Sequence, residues 1–148
     1  MVNVLYLNKF IIYFIIKMTI VITFGTYDLF HIGHLNIINR SLKLGDKLIV
    51  GVSTDQLNFN KKQKYPVYKQ EDRLEILKHI NGVDEVFYEE SLEQKREYIL
   101  KYKADILVMG DDWEGRFDEF NDICKVVYLP RTPGISSTQV KEYIKQNT

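Results

Sequence analysis

The stretch TIVITFGTYDLFHIGHLNIINRSLKLGDKLIVGVS, residues 19–53, decides the fold. It begins with a β-branched, apolar run over 19–24, which predicts a buried strand. Residues 34–44 then place apolar side chains at helical spacing before Gly45, and KLIVGVS over 47–53 predicts a second strand. A strand, a helix and a second strand predict a right-handed crossover between parallel strands.

The same alternation continues along the rest of the chain. We predict a polar, Lys-rich loop over 58–68, helices over 70–80, 92–102 and 137–146, a short helical stretch near 114–123, and strands over 83–88, 105–109 and 125–129. The expected fold is therefore α/β, a single doubly wound parallel sheet with helices on both faces. Ligands of such sheets bind at the carboxyl ends of the strands, where the strand order reverses.

The composition excludes several classes of protein. A chain of 148 residues with 45% hydrophobic content can bury one core and is not intrinsically disordered. Twenty Lys and Arg balance 20 Asp and Glu, and zero net charge argues against a nucleic-acid binder but not against a small phosphorylated ligand. Cys124 is the only cysteine, so we expect no disulfide, no all-cysteine zinc site, and a reducing, cytoplasmic location.

Residues 1–17 form an apolar extension ahead of a domain over 18–148. The run over 4–16 is interrupted by Asn8 and Lys9 and is shorter than the about 20 apolar residues of a spanning helix. No small-residue cleavage site follows it, so a secretory signal is not predicted. Three interpretations stay open: an element packed on the domain, a membrane-surface segment, or an over-called start with Met18 as the physiological first residue.

GTYDLFHIGH, residues 25–34, follows the first strand and is the first segment that points to chemistry. His31 and His34 stand at i and i+3 at the start of a helix, where unpaired N–H groups attract anions. Gly33 lets the backbone approach a phosphate without a Cβ in the way. A zinc pair would need further ligands, and phosphate binding is favoured over zinc or ordinary surface histidines.

VMGDDWEGRFD, residues 108–118, is the second such segment. Gly110 fits a tight turn, and Asp111 and Asp112 are candidates to accept from a base amino group, hold a ribose hydroxyl or ligate Mg²⁺. A helix N-cap would explain one aspartate but neither the second nor Trp113 beside it. The structural and functional interpretations stay open for this segment.

LPRTPGISSTQVKEYI, residues 129–144, is the third. Ser136 and Gln139 are spaced as a capping box for the last helix. Residues 135–138 therefore present free backbone N–H groups and hydroxyls next to Arg131, which predicts another phosphate site. Two anion-binding helix starts indicate a triphosphate and a second phosphorylated substrate.

The loop after the second strand carries several cations: Lys61, Lys62, Lys64 and Lys69, with Arg73 just inside the next helix. Such a run is usually a solvated face. Because it follows a strand end, it is equally a candidate lid over phosphates. Both interpretations stay open, as does the choice of the functional lysine among Lys61, Lys62 and Lys64.

These motifs together resemble the cytidylyltransferase family, and within it the branch that acts on glycerol 3-phosphate. The resemblance is carried by H-x-G-H at 31–34 after G-T-[FY]-D, R-T-x-G-I-S-[ST]-T at 131–138, STD at 53–55, VDEV at 83–86, VMGDDWEG at 108–115 and VVYLPRT at 126–132, and it runs from Met18 to the C-terminus. It implies a Rossmann-like nucleotidyltransferase fold that transfers CMP from CTP, with Mg²⁺, to sn-glycerol 3-phosphate. The products would be pyrophosphate and CDP-glycerol, a precursor of teichoic-acid-like surface polymers. It also implies a homodimer.

The resemblance and the residue patterns together predict the site. The catalytic residues are expected to be His31, His34, Lys61 and Arg131. The nucleotide-binding residues are expected to be Gly25, Thr26, Tyr27, Asp28, Gly33, Arg73, Gly110, Asp111, Asp112, Trp113, Thr132, Gly134, Ile135, Ser136, Ser137 and Thr138. No separate protein metal site and no membrane partner are expected.

Two positions depart from the family pattern. Asn81 stands where an Arg is usual, and Pro133 stands where a Glu is usual. The missing cation at Asn81 is a candidate cause of altered acceptor or CTP affinity. The alternatives are therefore a cytidylyltransferase, less readily an adenylyltransferase, for phosphocholine, phosphoethanolamine or a sugar phosphate, a non-catalytic nucleotide-binding regulator, or a membrane-attached scaffold using residues 1–17.

Overall fold

A computed structural model describes residues 17–148 of the chain. The predicted apolar extension covers residues 1–17. All of it except Lys17 lies outside the described residues, so its three interpretations stay predictions. The Lys17 Nζ lies 3.6 Å from the Asp105 carboxylate.

One five-stranded sheet forms the centre of the domain, and all its strand pairs are parallel. The strands are β1 (Ile20–Gly25), β2 (Lys47–Ser53), β3 (Val83–Glu89), β4 (Ile106–Gly110) and β5 (Lys125–Leu129), in the spatial order β3-β2-β1-β4-β5. The strand order reverses between β1 and β4, because the chain first builds the sheet outward from β1 to β3 and then returns to the other side. The predicted doubly wound parallel sheet is confirmed.

Five helices connect and flank the strands. They are α1 (Ile32–Leu42), α2 (Asp55–Lys62), α3 (Gln70–Lys78), α4 (Lys95–Lys101) and α5 (Ser137–Asn147), with 3-10 turns over Asp111–Trp113 and Asp118–Asp122. None of the helices described over residues 17–148 is long and apolar enough to cross a membrane.

Two separate apolar clusters cover the two faces of the sheet. One holds Ile38 of α1 and Leu77 of α3, and the other holds Ile99 of α4 and the two phenylalanines beside the second 3-10 turn, Phe117 and Phe120. The central strands β1, β2 and β4 contribute to both clusters, as expected of strands covered on both faces.

The predicted loop over 58–68 is wrong in its first part, because residues 55–62 form α2. The Thr54 hydroxyl caps that helix by accepting from the Leu57 N–H at 3.1 Å, and Asp55 lies in its first turn, where a negative charge is favourable. The helix ends at Gln63, whose φ of 54° is left-handed.

Two helices also begin at residues other than those predicted, and one predicted helical stretch is not continuous. α1 begins at residue 32 instead of 34 because His31 is its N-cap, and α4 begins at residue 95 instead of 92. The helical stretch near 114–123 is two 3-10 turns, interrupted at Gly115, whose φ of +83° is incompatible with a continuous helix.

Candidate active site

The start of α1 is a capping box made by the two histidines. The Gly33 N–H donates to the Nδ1 of His31 at 3.0 Å, and the His31 N–H donates to the Nδ1 of His34 at 3.3 Å. The two rings stack with centroids 3.8 Å apart and planes 20° from parallel. Imidazoles thus perform the reciprocal capping that Ser or Thr and Glu usually perform, and each ring is held by its Nδ1.

This capping box sets the protonation of both rings. An Nδ1 that accepts a hydrogen bond carries no proton, so the neutral ring carries its proton on Nε2 and can donate from there. Burial, followed by the neighbouring charge of His31, lowers the pKa of His34 to about 4. Burial and the charge of Arg131 lower the pKa of His31. At neutral pH both imidazoles are therefore uncharged Nε2–H donors.

The depressed histidine pKa values predict a pH dependence of stability. His34 binds its proton at about pH 4 in the folded chain but near pH 6.5 when unfolded, so the unfolded state gains protons first as pH falls. We expect the melting temperature to be constant above about pH 7 and to fall between about pH 6.5 and pH 4. Thermal melts across this range measure it. In His34→Gln the melting temperature should fall less steeply over this pH range. An unchanged slope would contradict the lowered pKa of His34.

The start of α5 lies against the start of α1. A Cβ built on Gly33 would stand 2.8 Å from the Cε1 of His31 and 3.2 Å from the Cγ2 of Ile135, so this close approach requires glycine. The Ser137 hydroxyl donates to the Asp28 carbonyl at 2.7 Å, which ties the two segments together. The two anion-binding helix starts expected from the sequence are therefore neighbours.

Ser136 is the N-cap of α5, as the spacing to Gln139 predicts. The Ser136 hydroxyl accepts from the Gln139 N–H at 3.1 Å. The reciprocal bond from the Gln139 side chain is absent from the hydrogen bonds recorded for residues 17–148, so half of the capping box forms. Ser136 keeps its hydroxyl proton for an incoming acceptor, and Thr138, two residues later in the first turn, is exposed.

Asp28 holds the loop before α3 onto the turn after β1. Its two carboxylate oxygens accept from the Val67 and Tyr68 N–H groups at 2.8 and 2.9 Å, and Lys141 of α5 lies 3.3 Å away. Burial alone would raise the pKa of Asp28, but these hydrogen bonds and the Lys141 charge lower it. The structure therefore places Asp28 as a tie between three segments, and its contact with a nucleotide stays a prediction.

The other residues of the turn after β1 support the histidines. Tyr27 has a φ of 55°, is buried in the core cluster of α1 and α3, and packs edge-on against His34 with ring centroids 5.4 Å apart. Gly25 lies against the Tyr27 ring, since a Cβ there would stand 2.9 Å from it. The Thr26 hydroxyl donates to the Asn58 side chain at 2.7 Å.

Arg73 is a fully buried clamp beneath the site. Its guanidinium donates to the Thr26 carbonyl at 2.7 Å, the Ser53 carbonyl at 2.8 Å and the Tyr68 carbonyl at 3.0 Å, and it pairs with the Asp55 carboxylate at 2.7 Å. Four segments at the carboxyl ends of β1 and β2 are thus held by one side chain. The nucleotide contact predicted for Arg73 stays a prediction, and the described contacts show a positioning role.

Lys61 differs from the other lysines of its segment. It lies in α2, is partly buried, and its Nζ is 3.5 Å from the Ser53 hydroxyl at the end of β2, whereas Lys62 and Lys64 are exposed. Burial lowers the pKa of Lys61, and Glu89 opposes that effect. The structure therefore favours Lys61 as the functional lysine.

The segment after β5 is positioned by two α1 side chains that the sequence did not indicate. Arg40 donates to the Pro130 carbonyl at 2.7 Å, and both Asn36, at 3.0 Å, and Arg40, at 3.4 Å, donate to the Thr132 hydroxyl. Since that oxygen accepts twice, its own proton is available to an incoming phosphate oxygen. Arg131, between these anchors, is exposed, and its positive charge lowers the pKa of both histidine rings.

The segment after β4 forms a 3-10 turn next to this group. Asp112 lies 3.9 Å from the Arg131 guanidinium, and its Oδ1 fills the space that a Cβ on Gly110 would need. Asp111 and Asp112 are exposed, whereas Trp113 packs on the α4 core cluster. The structure thus places the segment 108–118 next to the segment 129–144. Trp113 makes a packing contact with the core.

The two departures from the family pattern occupy different places. Pro133 precedes Gly134, whose φ is +77°, and Pro followed by a left-handed Gly fits a type II turn before α5. Asn81 is exposed in the turn before β3, at the edge of the sheet opposite the strand ends that carry the site. Nothing in this placement supports the hypothesis that Asn81 changes substrate affinity within one chain.

The sequence also missed a buried polar cluster beside Lys61. Glu89 ends β3 and Lys95 begins α4, and both are 1% exposed. A Glu at a strand end and a Lys in a charged helix look like surface residues, so no sequence signal distinguishes them. The sequence predicts a helix over 92–102, and its pattern does not reveal that Lys95 is buried.

Comparisons with known proteins agree with this arrangement. Residues 22–143 match the family model described as cytidylyltransferase-like. The chain is 52% identical over 124 residues to a glycerol-3-phosphate cytidylyltransferase of Bacillus subtilis (strain 168), covering 84% of this chain and 95% of the relative. It is 47% identical over 122 residues to a protein of the same name from Staphylococcus aureus (strain NCTC 8325 / PS 47), covering 82% and 92%.

A solved structure supports the fold independently. The crystal structure of a lipopolysaccharide core biosynthesis protein from Thermoplasma volcanium GSS1 superposes with a TM-score of 0.67, covering 78% of this chain and 99% of that one at 24% identity. At 24% identity, this similarity supports the fold and nothing about the function.

Proposed function

The chain belongs to the cytidylyltransferase-like family, and we propose that it transfers CMP from CTP to sn-glycerol 3-phosphate, giving CDP-glycerol and pyrophosphate. The observation that carries the chemistry is the histidine capping box of α1, which presents two neutral N–H donors beside the start of α5. The two relatives at 52% and 47% identity support the acceptor.

The proposed reaction is an in-line displacement at phosphorus. An oxygen of the acceptor phosphate bonds to the α-phosphorus of CTP as the bond to the β-phosphate oxygen breaks, and pyrophosphate leaves. No covalent enzyme intermediate is needed, so the protein contributes positioning and charge stabilisation. His31 and His34 donate from Nε2 to phosphate oxygens whose charge grows in the transition state, and the helix start adds its partial positive charge.

The remaining roles follow from the free donors and cations of the site. Lys61 and Arg131 bring full positive charge to the α- and β-phosphates or to the acceptor phosphate. At the start of α5, Ser136 and Thr138 offer hydroxyls to the β- and γ-phosphates. Ser137 offers its backbone N–H, because its hydroxyl proton is engaged by the Asp28 carbonyl.

We place the base and the metal at the end of β4. Asp112 is positioned by Gly110 and Arg131 to accept from the cytosine amino group. Mg²⁺ enters with CTP, since this ion typically binds substrate phosphates, waters and one or two carboxylates. Since Asp112 is assigned to the base, the exposed Asp111 is the carboxylate available to the ion, and within residues 17–148 no three His, Cys, Asp or Glu side chains group as a dedicated metal site.

The wider setting is part of the same proposal. We expect a cytoplasmic enzyme, as the single cysteine indicates, that works as a homodimer like its family. Its product would supply glycerol phosphate units to a teichoic-acid-like surface polymer.

Pyrophosphate release tests the reaction and the acceptor together. With CTP and sn-glycerol 3-phosphate we expect kcat/KM at least about 100-fold above that with phosphocholine, phosphoethanolamine or a sugar phosphate, because a polar site rejects substrates that leave its groups unpaired. ATP in place of CTP should be similarly poor. Faster turnover of another acceptor would reassign the substrate, and no turnover with any pair would favour a nucleotide-binding regulator.

A further inference from the structure

Three buried side chains, Lys95, Glu89 and Ser53, form a chain of contacts that leads to Lys61. The Lys95 Nζ lies 2.5 Å from one oxygen of the Glu89 carboxylate, and the other oxygen accepts from the Ser53 hydroxyl at 2.8 Å. The Lys61 Nζ then donates to the same Ser53 hydroxyl at 3.5 Å. Glu89, Ser53 and Lys95 are each 1% exposed, so bulk water screens none of these three groups.

Stability alone does not explain this cluster. A buried ion pair loses its hydration, and well-packed apolar side chains of similar volume are often as stable or more so. The Lys95 ammonium also lies 3.6 Å from the centre of the Phe24 ring, a cation–π contact that holds its charge without the help of Ser53 or Lys61. The cluster also joins the carboxyl ends of β2 and β3 to a lysine at the proposed phosphate site.

We propose that Glu89 is a positioning residue for phosphate binding, which holds the Ser53 hydroxyl and supplies the negative charge that keeps the Lys61 ammonium in place for a phosphate group. The proposal deepens the proposed function and rests on it for the assignment of Lys61 to a phosphate. Glu89 itself touches no reacting atom.

The geometry allows one carboxylate to serve both lysines. The Lys61 ammonium and the Glu89 carboxylate contact the same Ser53 hydroxyl, at 3.5 and 2.8 Å, so the opposite charge of Glu89 favours the protonated amine. The Ser53 hydroxyl accepts a hydrogen bond from Lys61 and donates its own proton to Glu89, so the donors all point from Lys61 toward the carboxylate.

The charge balance explains why Lys95 belongs to the cluster. Glu89 alone would cancel Lys61, and the pair would offer no net charge to an anion. With Lys95 bound to the other carboxylate oxygen, the three groups carry a net charge of one positive unit, and Lys61 is the member near the end of the sheet where phosphates are expected. Glu89 therefore orders Lys61 without repelling the substrate.

The surroundings of Lys61 make a counter-charge necessary. Burial lowers the pKa of Lys61, and the charges of Lys62 on α2 and Arg73 on α3 lower it further, while Glu89 on β3 raises it. Lys95 on α4 and Lys61 repel each other as well. Glu89 is the carboxylate that opposes these effects.

The test uses the double variant Glu89→Gln/Lys95→Met in the full chain. Removing both charges avoids leaving Lys95 buried without its partner, which a single Glu89→Gln change would do. The Lys61 amine is titrated by heteronuclear NMR without substrate and assigned with Lys61→Met. Binding of inorganic pyrophosphate is measured by calorimetry, and kcat and KM for CTP are measured in parallel.

We expect the pKa of Lys61 to fall in the double variant, because the lost attraction of Glu89, which is linked to Lys61 through Ser53, outweighs the lost repulsion of Lys95. Pyrophosphate affinity and kcat/KM for CTP should be at least about tenfold lower at pH 8. Ser53→Ala, which removes the bridge but no charge, should weaken pyrophosphate binding as well and serves if the double variant does not fold. Asp122→Asn is the matched control. It breaks the ion pair with Arg96, which is the neighbour of Lys95 in α4, and it should change none of these values.

The outcomes separate the two proposals. A double variant with unchanged Lys61 titration and pyrophosphate affinity would overturn the role of Glu89, whatever its melting temperature. Wild-type chain that binds pyrophosphate through Lys61 but turns over no CTP with any acceptor would overturn the proposed function while leaving the role of Glu89 supported. Loss of melting temperature alone in the variants would count against the positioning role.

Discussion

Replacement of His34 by alanine is expected to lower kcat at least about 100-fold, the effect typical of removing a donor that stabilises charge in a transition state. The variant loses the Nε2–H donor of His34. It also loses the Nδ1 that accepts from the His31 N–H and the ring that stacks on His31 at 3.8 Å. Because one change removes a donor and loosens the second one, we expect the loss to appear mainly in kcat.

The measurement is initial-rate kinetics of pyrophosphate release with CTP and glycerol 3-phosphate, together with a thermal melt. His79→Ala is the matched control, since His79 is exposed at the end of α3 and contacts only Glu75 of its own helix among its recorded polar partners in residues 17–148. It should retain wild-type rates. A folded His34→Ala protein with turnover within tenfold of wild type would show that the proposed mechanism is incorrect.

Replacement of Arg73 by methionine is expected to destabilise the domain by about 3 kcal/mol or more, because removing one partner of a buried charged network leaves the others unpaired. Methionine fills part of the same volume but makes none of the hydrogen bonds. The Asp55 carboxylate and the carbonyls of Thr26, Ser53 and Tyr68 would each lose a donor. These groups lie at the carboxyl ends of β1 and β2 or in the loop held by Asp28.

Equilibrium urea unfolding of both proteins measures this loss. Arg96→Met provides the comparison, since Arg96 also forms a two-bond contact with one aspartate, Asp122, but its side chain is 38% exposed. The loss of unfolding free energy in Arg96→Met should be clearly smaller than in Arg73→Met, because solvent screens the Arg96–Asp122 pair and replaces its hydrogen bonds. Equal losses for the two variants would contradict the clamp role of Arg73.

The parallel sheet was predictable because its evidence is local. Every strand lies within one residue of the stretch predicted from its apolar run, and KLIVGVS and KVVYL are reproduced at both ends. The errors fall where the local signal was ambiguous. The stretch 55–62 looked like a loop because it is polar, yet Thr54 and Asp55 are helix-start residues that explain α2.

The site was predictable as a set of segments, and the arrangement within it was not. His31, His34, Arg131 and Ser136 stand next to helix starts or strand ends, so the role in phosphate binding proposed for them rests on short-range patterns. We expected Tyr27, Asp28 and Arg73 to bind the nucleotide, because of the motifs in which they occur. In the structure their described contacts are with other parts of the protein. Those contacts join residues that are far apart in sequence, such as Asp28 and Lys141.

The sequence by itself determined the parallel α/β fold and the segments that carry the chemistry, because strand runs, helix caps and glycine turns act over a few neighbouring residues. Only the tertiary structure decided which proton each imidazole keeps, that Lys61 is half-buried while Lys62 and Lys64 are exposed, and that Glu89 and Lys95 are buried. Protonation and burial depend on the groups that surround a side chain in space. In this protein those partners come from other strands and helices, as Ser53 and Glu89 do across two neighbouring strands.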